Sequence, residues 1–267
     1  MSILVGYGGQ DYSLRNAISN IYSQYGHKVS IDERASNLVV LGKNASVATT
    51  ETGSTLMNLP AGVNHETFVA GNTIDTISSS SASDAEQLTI YGHTVSGGNL
   101  TYVSQTATLN GQNKVVLATP LYRVSKMFNS NGTPLVGIIY CYEDTAITAG
   151  APDDGTKVHC MITAGRQQSF KGATSLASNE YWIITSVTFT CLGGSAATGD
   201  GFLEIREPGK QFITYDILGA GSGNSHVEIL NPCIIVKPNC DVRVIGVRTG
   251  TGVTLATTLH GYLAKII

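Results

Sequence analysis

The residues that most suggest chemistry form a glycine-rich run, GAGSG at residues 219–223. This run resembles half of a phosphate-binding loop. Such a loop binds an anion when it opens onto the N-terminus of a helix, where unpaired backbone amides point at the ligand. Here an alternating segment with β-branched residues follows, VEIL at residues 227–230. The sequence therefore predicts a flexible hairpin loop here and no nucleotide site.

Histidines and paired acidic residues are the next candidates for chemistry. The six histidines are scattered at spacings that place no two ligands on one element, so zinc is not expected: His27, His65, His93, His159, His226 and His260. Glu143–Asp144 and Asp153–Asp154 bracket one loop and carry the oxygen atoms that calcium prefers, yet they lack an Asp-x-Asp-x-Asp ladder. We interpret both pairs as solvated turns.

Catalytic patterns are also missing from the sequence. No GxSxG nucleophile elbow and no GxxxxGK[ST] phosphate loop occurs. A glycoside hydrolase needs two carboxylates placed across a cleft, a pairing that one sequence does not reveal. We predict no catalytic, cofactor-binding or metal-binding residue and no cofactor, and we predict that the chain is not an enzyme.

Cysteine and tyrosine side chains favour packing over chemistry. The five cysteines contain no C-x-x-C pair and lie mostly in apolar segments, which predicts buried reduced thiols, with a disulfide or metal site as the alternative: Cys141, Cys160, Cys191, Cys233 and Cys240. Tyr140 and Tyr142 would face the same side of one strand. Ordinary sheet packing is the favoured interpretation, and a sugar platform is the alternative.

The composition indicates a chain that works inside an assembly. Charged residues make up 13% of the sequence, whereas ordinary globular domains carry about 25%. A surface with so little charge repels its neighbours weakly. The net charge of −3 gives no basic face for nucleic acid. No leader-like start and no run of 18 apolar residues is present, so we expect a soluble chain with no membrane partner.

One amphipathic helix is predicted near the start, over about residues 12–25. Its apolar side chains recur on a single helical face: Leu14, Ile18, Ile21, Tyr22 and Tyr25. Asp11 or Ser13 could cap its N-terminus, and Gly26 could end it. The helix must bury its stripe on its own sheet, the favoured alternative, or on a partner subunit.

The remaining pattern predicts three regions. Residues 1–75 are expected to form an N-terminal arm with the helix, and residues 76–156 a β-hairpin-rich region. The serine run at residues 78–83 is expected to be a flexible linker or loop. Within the second region, Asn110-Gly111 predicts a tight hairpin. Residues 157–267 show alternating strands every 8–14 residues, punctuated by Gly, Pro or Asn, which predicts an antiparallel β-sandwich of jelly-roll type.

Several segments resemble a family of virion structural proteins of tailed phages that infect marine bacteria. The similar segments are TISSSSASD at 76–84, GHTV at 92–95, TATLNGQNKVVL at 106–117, VGIIYCYED at 136–144 and DVRVIGV at 241–247. The resemblance covers about residues 75–250 and consists of turn and strand signatures. It carries no catalytic motif.

The resemblance implies a capsid decoration or cement protein that stabilises the phage head, located in the virion and forming a homotrimer. Its expected partners are the major capsid protein or other virion proteins, with residues 1–71 engaging the shell or neighbouring subunits. Multivalent contact would supply the affinity. Two alternatives stay open, because jelly rolls serve several roles: a receptor- or carbohydrate-binding tail or fibre module, and a virion-associated glycan hydrolase.

Overall fold

The computed structural model describes residues 10–30, 37–45, 47–49, 53–193 and 197–267. In this part of the chain, one α-helix, one 3-10 helix (Gly155–Lys157) and nineteen strands follow each other: α1 (Gln10–Tyr25), β1 (Val29–Ser30), β2 (Asn37–Asn44), β3 (Ser54–Thr55), β4 (Ile74–Ser79), β5 (Gln87–Ser96), β6 (Asn99–Thr108), β7 (Val115–Leu121), β8 (Arg123–Asn129), β9 (Ile139–Glu143), β10 (Ile147–Thr148), β11 (Ala151–Pro152), β12 (Val158–Ile162), β13 (Ala173–Ser175), β14 (Glu180–Leu192), β15 (Thr198–Arg206), β16 (Ile213–Gly221), β17 (Asn224–Val236), β18 (Asp241–Thr249) and β19 (Thr254–Ile266).

Two antiparallel sheets face each other and form a β-sandwich. The first sandwich sheet has the order β1-β19-β14-β17, with β2 also paired to β19, and the second has the order β13-β18-β15-β16, with β3 beside β18. Alternate residues of both sheets point inward, as a two-residue period requires. Trp182, Phe189, Leu203, Val244 and Leu259 are fully buried between them. The prediction of a mainly β fold with an antiparallel sandwich and a short N-terminal helix is confirmed.

Strands β4 to β12 form an inserted unit between β3 and β13. A four-stranded sheet (β12-β9-β4-β7) packs on a three-stranded sheet (β6-β5-β8), and β10 and β11 make a short hairpin. The core of the inserted unit combines Ile77 and Cys141 from the larger sheet with Leu88, Ile90 and Met127 from the smaller one. The inserted unit is therefore a second two-layer β structure with its own core.

The sheet pairing groups the chain differently from the three predicted regions. Strand β2 pairs with β19 over its whole length, from Asn44 opposite Leu255 to Asn37 opposite Tyr262. The described strands of the predicted arm therefore complete the sandwich. Conversely, β12 was expected in the sandwich but pairs with β9 of the inserted unit. Gly42 permits the close approach of β2 to the second sheet, because a Cβ atom there would lie 2.3 Å from the Leu56 carbonyl oxygen.

The serine run at residues 78–83, predicted to be a flexible linker or loop, is a loop only from residue 80 onward: residues 80–83 form a bend and turn, whereas residues 78–79 belong to a strand. Ser78 and Ser79 end β4 in the middle of the four-stranded sheet, and both are fully buried. Ser79 Oγ donates a hydrogen bond to Asp84 Oδ2 at 2.5 Å, and the buried Asp84 carboxylate also accepts from the backbone amides of Val136 and Gly137. Serine hydroxyls are thus structural partners here, whereas a serine-rich composition alone indicates flexibility.

The predicted hairpin at Asn110-Gly111 is a turn but not a hairpin. Gly111 has a φ of 56°, which suits glycine. The strands on either side diverge, however, because β6 pairs with β5 while β7 pairs with β4 in the other sheet. The Gly97-Gly98 turn, by contrast, joins β5 and β6 directly in register, from Ser96 opposite Asn99 to Gln87 opposite Thr108.

Helix α1 packs on the outer face of the first sandwich sheet. Ala17 and Ile21 are buried against Tyr181, Ile183 and Ala264, so the favoured prediction of burial on its own sheet is confirmed. Gly26, with a φ of 69°, ends the helix, and its N–H donates to the Tyr22 carbonyl at 3.0 Å. The helix begins at Gln10, so Asp11 and Ser13 lie inside it and neither is the N-cap.

Replacing Ile21 with alanine should lower the free energy of unfolding by about 2–5 kcal/mol, because a fully buried aliphatic side chain would leave a cavity under the helix. Urea denaturation monitored by circular dichroism measures the change. Tyr22→Ala is the matched control, since this neighbour was predicted to share the stripe but is 57% exposed. Equal losses for the two variants would contradict the described packing of α1.

Candidate functional site

The glycine-rich run at residues 219–223 is part of a strand connection. Gly219 to Gly221 are the last residues of β16, and Ser222-Gly223 is the turn into β17. Ser222 N–H donates to the Ala197 carbonyl and Gly223 N–H to the Cys191 carbonyl, so the turn is fastened to both sandwich sheets. The loop is shorter than predicted. A strand follows it, so no helix N-terminus is available to hold an anion.

The two acidic pairs do not form one site: Glu143 is the last residue of β9, and Asp144, Asp153 and Asp154 lie outside the helices and strands. Asp144 accepts a hydrogen bond from Lys114 Nζ at 2.6 Å, and Asp154 caps the 3-10 helix by accepting from the Thr156 backbone N–H at 3.0 Å. Glu143 interacts instead with His159, at 3.3 Å. Within the described ranges, no group of three or more His, Cys, Asp and Glu side chains is arranged to hold a metal ion.

The cysteines and the paired tyrosines take part in packing. None of the five cysteines, all of which lie in the described ranges, forms a disulfide. Cys141 and Cys160 lie opposite each other on β9 and β12, and burial raises the pKa of the Cys141 thiol well above its ordinary value. Tyr140 and Tyr142 are buried in a small cluster with Met161, which confirms the packing interpretation of this pair.

The most prominent surface feature of the sandwich is an aliphatic edge. Strands β16 and β17 are the last strands of their sheets in the described part of the chain. Of the twelve large hydrophobic side chains exposed in the described residues, five lie on these two strands. We call this surface the exposed edge; it consists of Ile213 (62% exposed), Tyr215 (52%), Ile217 (64%), Val227 (61%) and Ile229 (63%).

Strand register explains why Val227 and Ile229 stay outside the core. They lie opposite Thr188 and Ser186 of β14, and the intervening residue of that strand, Val187, is fully buried. Because successive side chains alternate between faces, the two aliphatic residues point away from the sandwich interior. The alternate positions of β17, which share a face with the buried Phe189 and Val187, are occupied by His226 and Glu228.

A small group of ionisable side chains borders the exposed edge. His226 Nε2 lies 3.7 Å from Glu228 Oε2, and both side chains are nearly half exposed. Asp216 lies on the neighbouring strand, where burial and the negative charge of Glu228 raise its pKa. The edge thus combines exposed aliphatic side chains with two strands that have no further neighbour in the described residues, and it is bordered by two carboxylates and one histidine. Exposed apolar side chains on edge strands are the kind of surface that associates with another protein.

The sequence contained only part of the signal for the exposed edge. The alternation of Ile213, Tyr215 and Ile217 correctly predicted a strand. Alternation alone does not tell whether these apolar residues face the core or solvent, because an edge strand and a central strand give the same pattern. Only the pairing of β16 with β15, which leaves its other side without a neighbour in the described residues, distinguishes the two.

No α-helix among the described residues is both long and apolar enough to span a membrane. No protein-family model matches the chain, and no curated protein matches it. Among solved structures, the infectious bursal disease virus VP2 subviral particle is similar at 11% identity over 94% of this chain and 81% of that chain, with a TM-score of 0.21. The infectious bursal disease virus Gx strain structure gives 10% identity over 94% and 82% of the two chains, with a TM-score of 0.23. TM-scores this low do not establish a shared fold.

Proposed function

We propose that this chain is a structural component of a virion, namely a decoration or cement subunit on the head of a tailed phage. The observation that carries the proposal is the exposed edge, where aliphatic side chains of two edge strands face solvent. Monomeric soluble proteins rarely leave such a surface uncovered. Its partners would be further copies of this chain in a homotrimer, and the major capsid protein.

Two properties of the chain support this proposal. Charged residues make up 13% of the sequence, so subunits can approach each other with little repulsion. The segments that resemble virion proteins, such as residues 76–84 and 136–144, hold the inserted unit together through the buried Asp84 carboxylate. These segments therefore fit a structural role in the subunit.

The first test concerns association through the exposed edge. Purified protein should sediment as an oligomer, with a trimer as the expected species, and Ile217→Lys combined with Ile229→Lys should shift it towards monomer. A buried lysine would lack a partner in the apolar contact, and the two substitutions would repel their copies. Val116→Lys is the matched control, because Val116 is 73% exposed on β7, which belongs to a sheet of the inserted unit and not to either sandwich sheet.

Sedimentation equilibrium at several concentrations distinguishes the outcomes. A wild-type monomer at high concentration would contradict the proposed oligomer, as would an oligomer that both variants disrupt equally. Locating the protein on phage particles by cryo-electron microscopy then tests the head assignment. Density on the tail or fibre tips in place of the head would favour the receptor-binding alternative.

A further inference from the structure

A cleft lies where the inserted unit meets the sandwich. One wall is the outer face of the three-stranded sheet, which carries Tyr91, His93 and Tyr102. The opposite wall comes from the sandwich and includes Leu38 of β2 and Leu263 of β19. The cavity has a volume of about 150 Å³. A cavity of about 150 Å³ is large enough to hold one six-membered ring.

Aromatic rings form the floor of this cleft. Tyr91 and Tyr102 are stacked, with ring centroids 5.9 Å apart and an angle of 19° between the rings. The His93 ring is steeply inclined to the Tyr102 ring, at 72°, with the two ring centroids 5.7 Å apart. Tyr102 is 49% exposed, so part of its ring is available to a bound molecule. Strand register causes this arrangement, because His93 lies directly opposite Tyr102.

Polar groups surround the aromatic floor without forming a charged pocket. His93 is 2% exposed, its Nδ1 has no hydrogen-bond partner in the described part of the chain, and burial lowers its pKa to about 4, so the ring is neutral at physiological pH. Glu180 contributes a carboxylate that lies 3.7 Å from Lys265 Nζ. Thr174 Oγ1 donates to Ser125 Oγ at 3.3 Å. The lining therefore offers both donors and acceptors.

The two lysines of the lining do not make it an anion site. Lys171 Nζ is fully used by Glu66 Oε1 and by two backbone carbonyls. Lys126 Nζ lies over the Phe128 ring at 5.9 Å. With Glu180 present as well, a phosphate or sulfate group would meet one available cation and one carboxylate, which gives no net attraction.

We propose that this cleft binds one pyranose residue of a neutral saccharide. A pyranose presents an apolar C–H face, which packs on an aromatic ring, and a rim of hydroxyls, which need donors and acceptors. The stacked tyrosines meet the first need, and His93, Glu180 and the Ser125–Thr174 pair meet the second. Leu38 and Leu263 exclude water from the opposite side. This inference stands independently of the proposed role in the capsid.

Saturation-transfer difference NMR with the methyl pyranosides of glucose, galactose, mannose and N-acetylglucosamine tests the proposal on the full-length protein. At least one of them should show transfer, strongest at its ring C–H protons. Tyr102→Ala should weaken binding at least about tenfold, since it removes the stacking face. Glu180→Gln should also weaken binding, because it replaces the carboxylate that accepts hydrogen bonds from the saccharide hydroxyls with a neutral amide. Tyr22→Ala, which removes a similarly exposed tyrosine from α1, should leave binding unchanged.

Three outcomes would overturn the saccharide site. These are no transfer from any of the four pyranosides, transfer that survives Tyr102→Ala, and transfer that Tyr22→Ala abolishes equally. Phenol and glucose 6-sulfate serve as competitors, and stronger binding of either would also reject a neutral sugar as the ligand. Because Tyr102 lies outside the exposed edge, Tyr102→Ala should not change the sedimentation of the protein, and the two proposals can fail separately.

Discussion

Lys171→Met should lower the free energy of unfolding by about 3–5 kcal/mol, because it would leave a buried carboxylate without its counter-charge. Lys171 Nζ donates to Glu66 Oε1 at 2.5 Å and to the carbonyls of Val124 and His159 at 2.5 and 3.0 Å. Both side chains of the ion pair are at most 3% exposed. All three ammonium protons have partners, so the lysine links β8, β12 and the segment that carries Glu66.

The double variant Lys171→Met with Glu66→Leu separates the charge from the packing. Replacing both members of a buried ion pair with apolar groups is often close to neutral, so the double variant should recover most of the loss. The exposed pair Lys237–Glu207, with side chains 44% and 47% exposed, supplies the control. Lys237→Met should change stability by about 1 kcal/mol or less. A double variant less stable than Lys171→Met alone would contradict this interpretation.

The same ion pair should make stability depend on pH. Burial by itself raises the pKa of Glu66, but the charge of Lys171 and the neighbouring His159 outweigh it and lower the pKa below its ordinary value of 4.5. A carboxyl whose pKa is lower in the folded state stabilises the fold above its unfolded pKa and loses that contribution as pH falls below it. Urea denaturation between pH 6 and pH 3 should therefore show a steeper decline for the wild type than for the double variant.

Local pattern was sufficient to predict the helix and most of the longer strands, but neither the end of β4 nor the grouping of the strands into sheets. The β5–β6 hairpin follows from Gly97-Gly98 alone, and its register brings His93 opposite Tyr102. The aromatic cluster of the cleft could therefore have been found by counting residues outward from the turn. The pairing of β2 with β19 could not, because it joins segments about two hundred residues apart with no motif at either end.

Buried charge was the least predictable feature. Glu66 lies in a segment whose Thr, Ser and Asn content indicated an extended arm, and its partner Lys171 is 105 residues away. Single charged residues of this kind normally lie on the surface. Only the fold shows that Glu66 and Lys171 are buried in contact with each other. The same holds for Arg123 and Asp241, which are 118 residues apart. Long-range ion pairs leave no periodic signal in a sequence.

Asp241→Asn should have a comparably large effect, a loss of about 3–5 kcal/mol, because two arginines would lose their shared counter-charge. Asp241 Oδ1 accepts from Arg123 Nε at 3.1 Å and from Ser175 Oγ at 2.6 Å, and Oδ2 accepts from Arg206 Nε at 3.1 Å. Arg123 belongs to β8 of the inserted unit, whereas Asp241 and Arg206 belong to the sandwich. The carboxylate therefore fastens the two units to each other.

Arg123→Met is the informative comparison for Asp241→Asn. It removes one of two cations and leaves Asp241 paired with Arg206, so it should destabilise less than Asp241→Asn. Burial raises the pKa of Asp241, yet the two arginines lower it below 3.8 overall. The ionised Asp241 should thus stop stabilising the wild type as the pH falls below about 4, and the difference in free energy of unfolding between the wild type and Asp241→Asn should shrink there.

Because the contact joins two separate cores, calorimetry should also resolve two unfolding transitions for Asp241→Asn. A single transition with unchanged stability would show that other contacts between the units dominate their coupling.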